Sequence, residues 1–92
     1  MTTPLVSVLL PVYNAQDYLR ESIDSILNQS YTDFELIIAY DHSTDDSRNI
    51  VESYDDSRIK VIYQAGPGLP ASLNRAIGFA KGRYLARQDA DD

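Results

Sequence analysis

Four short apolar runs alternate with three stretches of helical spacing, and this alternation restricts the chain to a parallel α/β sheet. Val6-Ser7-Val8-Leu9-Leu10, bounded by Pro4 and Pro11, reads as a first buried strand. From Asp17 to Asn28, Leu19, Ile23, Ile26 and Leu27 recur at helical spacing. Glu35 to Tyr40 reads as a second strand. Asp45 to Tyr54 reads as a weaker helix with Ile50, Val51 and Tyr54 on one side, capped by Ser43 or Thr44. Ile59 to Tyr63 is the third strand. Leu69, Leu73, Ala76, Ile77 and Ala80 then give the cleanest helical stripe, with Pro70 suited to its first turn and Gly82 to its stop. Tyr84 to Gln88 reads as a fourth, buried strand.

A β-α-β-α-β-α-β order with connections this long gives parallel strands and right-handed crossovers. Near-continuous apolar strands imply a sheet covered by helices on both faces, three layers in all. With strands 1 and 4 as central neighbours the order is 3-2-1-4. The loops after strands 1, 2 and 4 then meet at one mouth, outside the carboxyl ends of the strands, where open α/β sheets bind ligands.

Those loops carry the unusual residues: Pro11-Val12-Tyr13-Asn14, Asp41-His42-Ser43-Thr44-Asp45-Asp46, and the acidic end Asp89-Ala90-Asp91-Asp92. Asp41 can accept a hydrogen bond from the ring N–H of a base such as uracil, and Tyr13 can stack on that base. Asp89 can bind ribose hydroxyls, while Asp91 can ligate Mg²⁺ or Mn²⁺. Magnesium takes one or two protein carboxylates and completes its shell with phosphate and water. Plainer readings exist for each. Asp45 and Asp46 are most simply first-turn acids of the second helix, Tyr13 a packing residue, His42 an exposed loop residue and Asp89–Asp92 a solvated acidic tail.

Bulk composition narrows the field. Ninety-two residues make one small domain or part of a larger one, and the net charge of −6 with no basic stripe argues against nucleic acid as a partner. The absence of cysteine excludes disulfides and thiolate metal sites, and one histidine cannot build a histidine-rich zinc site. No apolar run approaches the roughly 20 residues that span a bilayer, and Met1-Thr2-Thr3-Pro4 carries no basic segment, so no signal peptide is expected before the first strand.

In order and spacing, these segments resemble family-2 glycosyltransferases with the GT-A fold. Val6 to Asn14 resembles their opening strand and loop, and Asp41-His42-Ser43-Thr44-Asp45 their Asp-Asp-Gly-Ser-Thr-Asp loop. Gly68 to Ile77 and Ala80 to Asp92 resemble their third helix, fourth strand and Asp-x-Asp motif. The resemblance implies a Rossmann-like GT-A half, cut after Asp-x-Asp. It also implies inverting transfer of a sugar from a nucleotide diphosphate, a UDP-sugar by expectation, to the hydroxyl of a saccharide or lipid-linked acceptor. It places Pro11, Tyr13, Asn14, Asp41 and Asp89 in the nucleotide site and Asp91 on a Mn²⁺ or Mg²⁺ ion, and it leaves the catalytic base beyond residue 92. Tyr40 and His42 replace the usual Asp and Gly, and Leu73 stands where many members carry Arg. The expected location is the cytoplasm, or the cytoplasmic membrane face for a full-length protein. An unpaired fourth strand implies self-association of the isolated chain.

Two alternatives compete. Gly66-Pro67-Gly68-Leu69-Pro70-Ala71 fits the dinucleotide pattern G-x-G-x-x-A, but it follows the third strand, and its prolines stiffen a loop whose N–H groups should cradle pyrophosphate. A receiver-like module also gathers acids at strand ends. It wants an acidic pair after the first strand, where Pro11, Tyr13 and Asn14 stand instead.

Overall fold

The computed structural model describes residues 4–30, 32–40, 44–63, 74, 75 and 77–87. Strands β1 (Val6–Val12), β2 (Phe34–Tyr40), β3 (Ile59–Tyr63) and β4 (Tyr84–Arg87) form one parallel sheet in the order β3-β2-β1-β4. Helices α1 (Gln16–Leu27) and α2 (Ser47–Glu52) connect the first three strands. The order is the expected one, and it follows from near-continuous apolar runs separated by crossovers too long for hairpins.

The main core lies between the sheet and α1 with α2. Leu19, Ile23 and Ile26 of α1, and Ile50 and Val51 of α2, pack on Val8, Leu10, Val12, Leu36, Ile38 and Tyr40. Alternate residues of the same strands face the other way, where Leu9, Ile37 and Ala39 form a smaller cluster. Ala80, just beyond helical residues 77–79, packs against that cluster on the opposite face. Leu69, Pro70, Leu73 and Ala76 of the expected helical stripe lie outside the described residues. Ile77 of that stripe is exposed rather than buried.

Four local expectations are corrected. First, β1 runs through Pro11 to Val12 instead of stopping at Leu10. The missing N–H is tolerated because β4 ends at Arg87, level with Leu9, so Pro11 lies past the last β1–β4 pair. Second, α2 is six residues long, starts after Asp45 and Asp46, and has Asp46 at its cap position with no side-chain cap bond. Third, β4 is exposed throughout, because it forms one border of the described sheet and little covers it. Fourth, Gly82 is not a left-handed helix stop. A Cβ there would lie 2.5 Å from the Ser7 nitrogen and 2.7 Å from the Val6 carbonyl carbon, so glycine is required for close approach to β1.

That close approach belongs to a buried polar clamp at the amino ends of the strands. The Ser7 hydroxyl donates to Glu35 Oε2 (2.6 Å), the Lys81 N–H donates to the same oxygen (2.6 Å), and the Gly82 N–H donates to Ser7 Oγ (2.8 Å). Lys60 Nζ lies 2.9 Å from Glu35 Oε1, an ion pair without the alignment of a hydrogen bond. Burial pushes the Glu35 carboxyl up. The Ser7 hydroxyl, the Lys81 N–H and Lys60 outweigh it, leaving the carboxyl below the usual carboxylate range. The clamp joins β1, β2, β3 and the entry to β4, and so holds β4 in register.

Candidate functional site

All four strands are parallel, so their carboxyl ends share one end of the sheet. Val12 is level with Tyr40 in the β1–β2 pairing, so the chain leaves β1 toward Tyr13 and β2 toward residue 41 side by side. Tyr13 is 63% exposed at this mouth, free of the packing that would explain a buried aromatic. Pro11 sits one turn of the pleat below, opposite Ala39. Asp41, His42, Asp89 and Asp91 lie outside the described residues, as do Gln88, Ala90 and Asp92. Among the described residues no group of three His, Asp or Glu side chains gathers as a metal cage.

The described part of the mouth is a set of cross-loop hydrogen bonds. Asn14 has φ 48°, a left-handed conformation that asparagine adopts more readily than most residues. Its Oδ1 accepts from the Thr44 N–H (2.7 Å) and from the Thr44 hydroxyl (3.3 Å). Asp45 Oδ2 accepts from the Gln16 N–H (3.1 Å) while Asp45 Oδ1 accepts from the Ser47 N–H (2.9 Å). Gln16 Oε1 accepts from the Asp46 N–H (2.8 Å), and buried Ser47 Oγ accepts from the Ala15 N–H (2.9 Å). Each loop therefore satisfies the otherwise orphan N–H groups at the start of the other loop's helix.

This arrangement explains why the residue at neither helix's cap position, Ala15 or Asp46, makes a side-chain cap bond. Ala15 occupies the cap position of α1 and has nothing to cap with, so Asp45 and Ser47 act across the gap. Partial burial pushes the Asp45 carboxyl up, but bonds from the Ser47 hydroxyl and from the Ser47 and Gln16 N–H groups hold it below the usual range. Asp45 thus does more than complement a helix dipole. Gln16 and Ser47 were not singled out by the sequence reading, and Thr44 was named only as a candidate cap of the second helix. The available signal was the cap-poor Ala15 at a helix start, which demands donors' partners from elsewhere.

Aromatic packing supports the β2–β3 side of the mouth. The Tyr40 and Tyr63 rings meet edge to face with centroids 5.6 Å apart, and the Arg48 guanidinium lies 5.0 Å from the Tyr63 ring centroid. Tyr63 also donates its hydroxyl to Glu52 (3.2 Å). Farther from the mouth, the Tyr54 hydroxyl donates to Asp24 (2.6 Å) and links the segment just after α2 to α1. Burial and the Asp24 carboxylate push its pKa up to about 12.

A parallel α/β sheet in this order, with paired loops over its carboxyl ends, is a Rossmann-like architecture, a class that binds its ligands at that end of the sheet. Within that class the comparison is specific: residues 7–92 match Glycosyl transferase family 2, and the chain belongs to that family. The fold is that of the GT-A glycosyltransferases. An uncharacterized glycosyltransferase of Haemophilus influenzae is 46% identical over 92 residues, covering 97% of this chain and 28% of its own. The crystal structure of S. aureus TarS 1-349 in complex with UDP-GlcNAc superposes with a TM-score of 0.81 at 33% identity. That match covers 95% of this chain and 26% of the 1-349 chain. The mannosyltransferase PcManGT from Pyrobaculum calidifontis, in complex with GDP-Man and Mn²⁺, gives a TM-score of 0.83 at 28% identity. It covers 99% of this chain and 28% of its own. The chain spans 26% to 36% of the length of four Bacillus subtilis relatives. Among the described residues no helix is long and apolar enough to cross a membrane.

Proposed function

We propose that these residues form the donor half of an inverting glycosyltransferase that binds a UDP-sugar with Mn²⁺ or Mg²⁺. The observation that carries this reading is the juxtaposition of Val12 and Tyr40 in register, so the residues that precede Tyr13 and Asp41 in sequence lie side by side at the carboxyl end of the sheet. Asp41 reads the base, Tyr13 and Pro11 line the nucleoside pocket, Asn14 belongs to the same wall, Asp89 takes the ribose and Asp91 holds the metal. The cation supplies charge stabilisation to the departing diphosphate. The acceptor, a saccharide or lipid-linked hydroxyl, is activated by a base that we place outside residues 1–92. UDP-GlcNAc in TarS and GDP-Man with Mn²⁺ in PcManGT support a nucleotide-sugar donor and a divalent cation. The working place of such an enzyme is the cytoplasm or the cytoplasmic membrane face.

Thermal unfolding of the chain with UDP, with and without Mn²⁺, tests the reading. Ligand at 100 times its Kd stabilises a fold by about 2.7 kcal/mol. The expected result is a metal-dependent rise in Tm that Asp91→Asn and Asp41→Ala each weaken. Equal responses in the wild type and both variants contradict the residue roles.

A second expectation concerns the border strand. Tyr84 and Leu85 are more than half exposed, with Ile77 and Phe79 exposed just before them. Such a strand pairs readily with another chain. The isolated 92-residue chain is expected to self-associate as its concentration rises, and a mass that stays monomeric in light scattering removes this expectation.

A further inference from the structure

We infer that Ser47 is a positioning residue for the nucleotide site, its buried hydroxyl holding the turn that presents Tyr13; this role rests on the donor-site reading above. The turn is short. It leaves the sheet at Val12, which is paired with Tyr40, and it ends at Ala15, whose N–H donates to Ser47 Oγ (2.9 Å). Only Tyr13 and Asn14 lie between those two anchors. Tyr13 is exposed, so packing does little to place its ring and the backbone on either side must do so. Asn14 makes contacts of its own, the bonds to Thr44 among them, and they secure the middle of the turn. Ser47 secures its far end.

The hydroxyl is itself held in place. Ser47 is the first residue of α2 and is fully buried, so its hydroxyl serves the protein and not a ligand. The O–H donates to the Asp45 carboxylate while the oxygen accepts from Ala15, so both of its functions are used. Donating to a charged acceptor polarises the hydroxyl and strengthens the bond it accepts. The same carboxylate accepts the Gln16 N–H (3.1 Å) and the Ser47 N–H (2.9 Å), which orients it from both loops. Two successive N–H groups, those of Ala15 and Gln16, are thus held by one hydroxyl and carboxylate pair on the other loop. The Ala15 N–H precedes α1 and has no intrahelical partner. Loss of the hydroxyl therefore frees the end of the Tyr13 turn, while Ile50 and Val51 of α2 keep their packing on the sheet.

A double-mutant cycle separates this role from plain packing. UDP is titrated with Mn²⁺ into the wild type, Ser47→Ala, Tyr13→Ala and the double variant. Ser47→Ala is expected to raise the Kd by about tenfold, the scale of one lost hydrogen bond. In the Tyr13→Ala background the same change should cost less than about threefold, because no ring is left to place. Ser47→Thr keeps the hydroxyl and should stay within about threefold of the wild-type Kd. Amide exchange at Ala15 should accelerate in Ser47→Ala, with Leu9 and Ile37 unchanged. Should Ser47→Ala fail to fold, Asp45→Asn at its partly exposed position carries the same cycle, because it removes the charge that orients the hydroxyl. Wild-type affinity in Ser47→Ala overturns the inference, and so does a tenfold loss that persists when Tyr13 is already alanine. A Ser47→Thr variant that keeps Ala15 protected yet binds as weakly as alanine overturns it too. A wild-type chain that binds no UDP, or a Tyr13→Ala variant that binds it as tightly as the wild type, overturns the donor-site reading, and the role of Ser47 falls with it.

Discussion

Glu35→Ala is expected to destabilise the fold by about 3 kcal/mol near neutral pH, the scale for removing one partner from a buried charged network. The substitution deletes the acceptor of the Ser7 hydroxyl and of the Lys81 N–H, both at 2.6 Å, and leaves the Ser7 hydroxyl buried in an apolar sheet. Lys60 loses its ion-pair partner as well, but its side chain is 45% exposed and turns to water, so that part of the loss is small. Glu35→Gln keeps acceptor oxygen and should lie between the wild type and alanine. The pH dependence has a definite sign. The folded carboxyl titrates below its ordinary value of 4.5, so its contribution is complete above pH 4.5 and is lost as pH falls through the lowered value. Urea unfolding of the three proteins as a function of pH checks this. The gap between the wild type and Glu35→Gln should narrow in acid, and a gap that is constant or widens as pH falls rules out the charged clamp.

Asp56 adds to the same acid sensitivity. Its side-chain and backbone bonds with Arg58 pull the carboxyl down to about 2, so its contribution fades between pH 3.8 and that value. The pair lies at the surface, with side chains a quarter exposed, so screening keeps its share below that of Glu35.

Gly82→Ala is the second substitution with a large expected effect, about 2 to 4 kcal/mol. The added Cβ meets the Ser7 nitrogen at 2.5 Å, the Ser7 hydroxyl oxygen at 2.7 Å and the Val6 carbonyl carbon at 2.7 Å. A rotamer change relieves only the hydroxyl contact. The other two atoms are backbone of β1, which is paired on one side with β2 and on the other with β4 and cannot step aside. The strand that yields is therefore β4, tied to the chain before β1 through the Tyr84 N–H and the Leu5 carbonyl at 3.0 Å. Denaturant unfolding gives the global cost, and amide exchange locates it. Exchange at Tyr84 should accelerate more than exchange at Leu36 or Ile38. An alanine variant as stable as the wild type, with Tyr84 equally protected, contradicts the close approach.

The topology was readable from the sequence because it depends on patterns that tertiary context rarely overrides. Val6 to Leu10, Glu35 to Tyr40 and Ile59 to Tyr63 are apolar runs of strand length, and Leu19, Ile23 and Ile26 sit on one helical face. The errors came where side chains act across the chain instead of along it. Gly82 read as a helix stop because glycine at that spacing is a local signal, whereas its actual constraint is the backbone of β1, 75 residues away in sequence. Glu35 passed as the first residue of a strand, although a lone acid within Phe34-Glu35-Leu36-Ile37-Ile38 had to find buried partners. Ser43 and Thr44 were natural caps for α2 by residue type, yet the Thr44 N–H and hydroxyl serve Asn14, and Asp45 takes the Ser47 N–H. At the mouth, Tyr13 and Asn14 were picked out by position after β1, but the mutual capping of the two loops through Gln16, Asp45 and Ser47 is a long-range property whose one local trace is the cap-poor Ala15. The NAD-binding and receiver-like alternatives fall to the family match over residues 7–92.

Paramagnetic broadening of backbone amide signals by substoichiometric Mn²⁺, recorded with and without UDP, tests most directly whether loops distant in sequence share one metal-bridged nucleotide site. The account predicts UDP-dependent broadening that reaches Tyr13, Asn14, Thr44 and Arg87 together while sparing Asp33, Lys81 and Gly82 at the opposite end of the sheet. Broadening centred on Asp33 and Gly82, or broadening that does not depend on UDP, contradicts it.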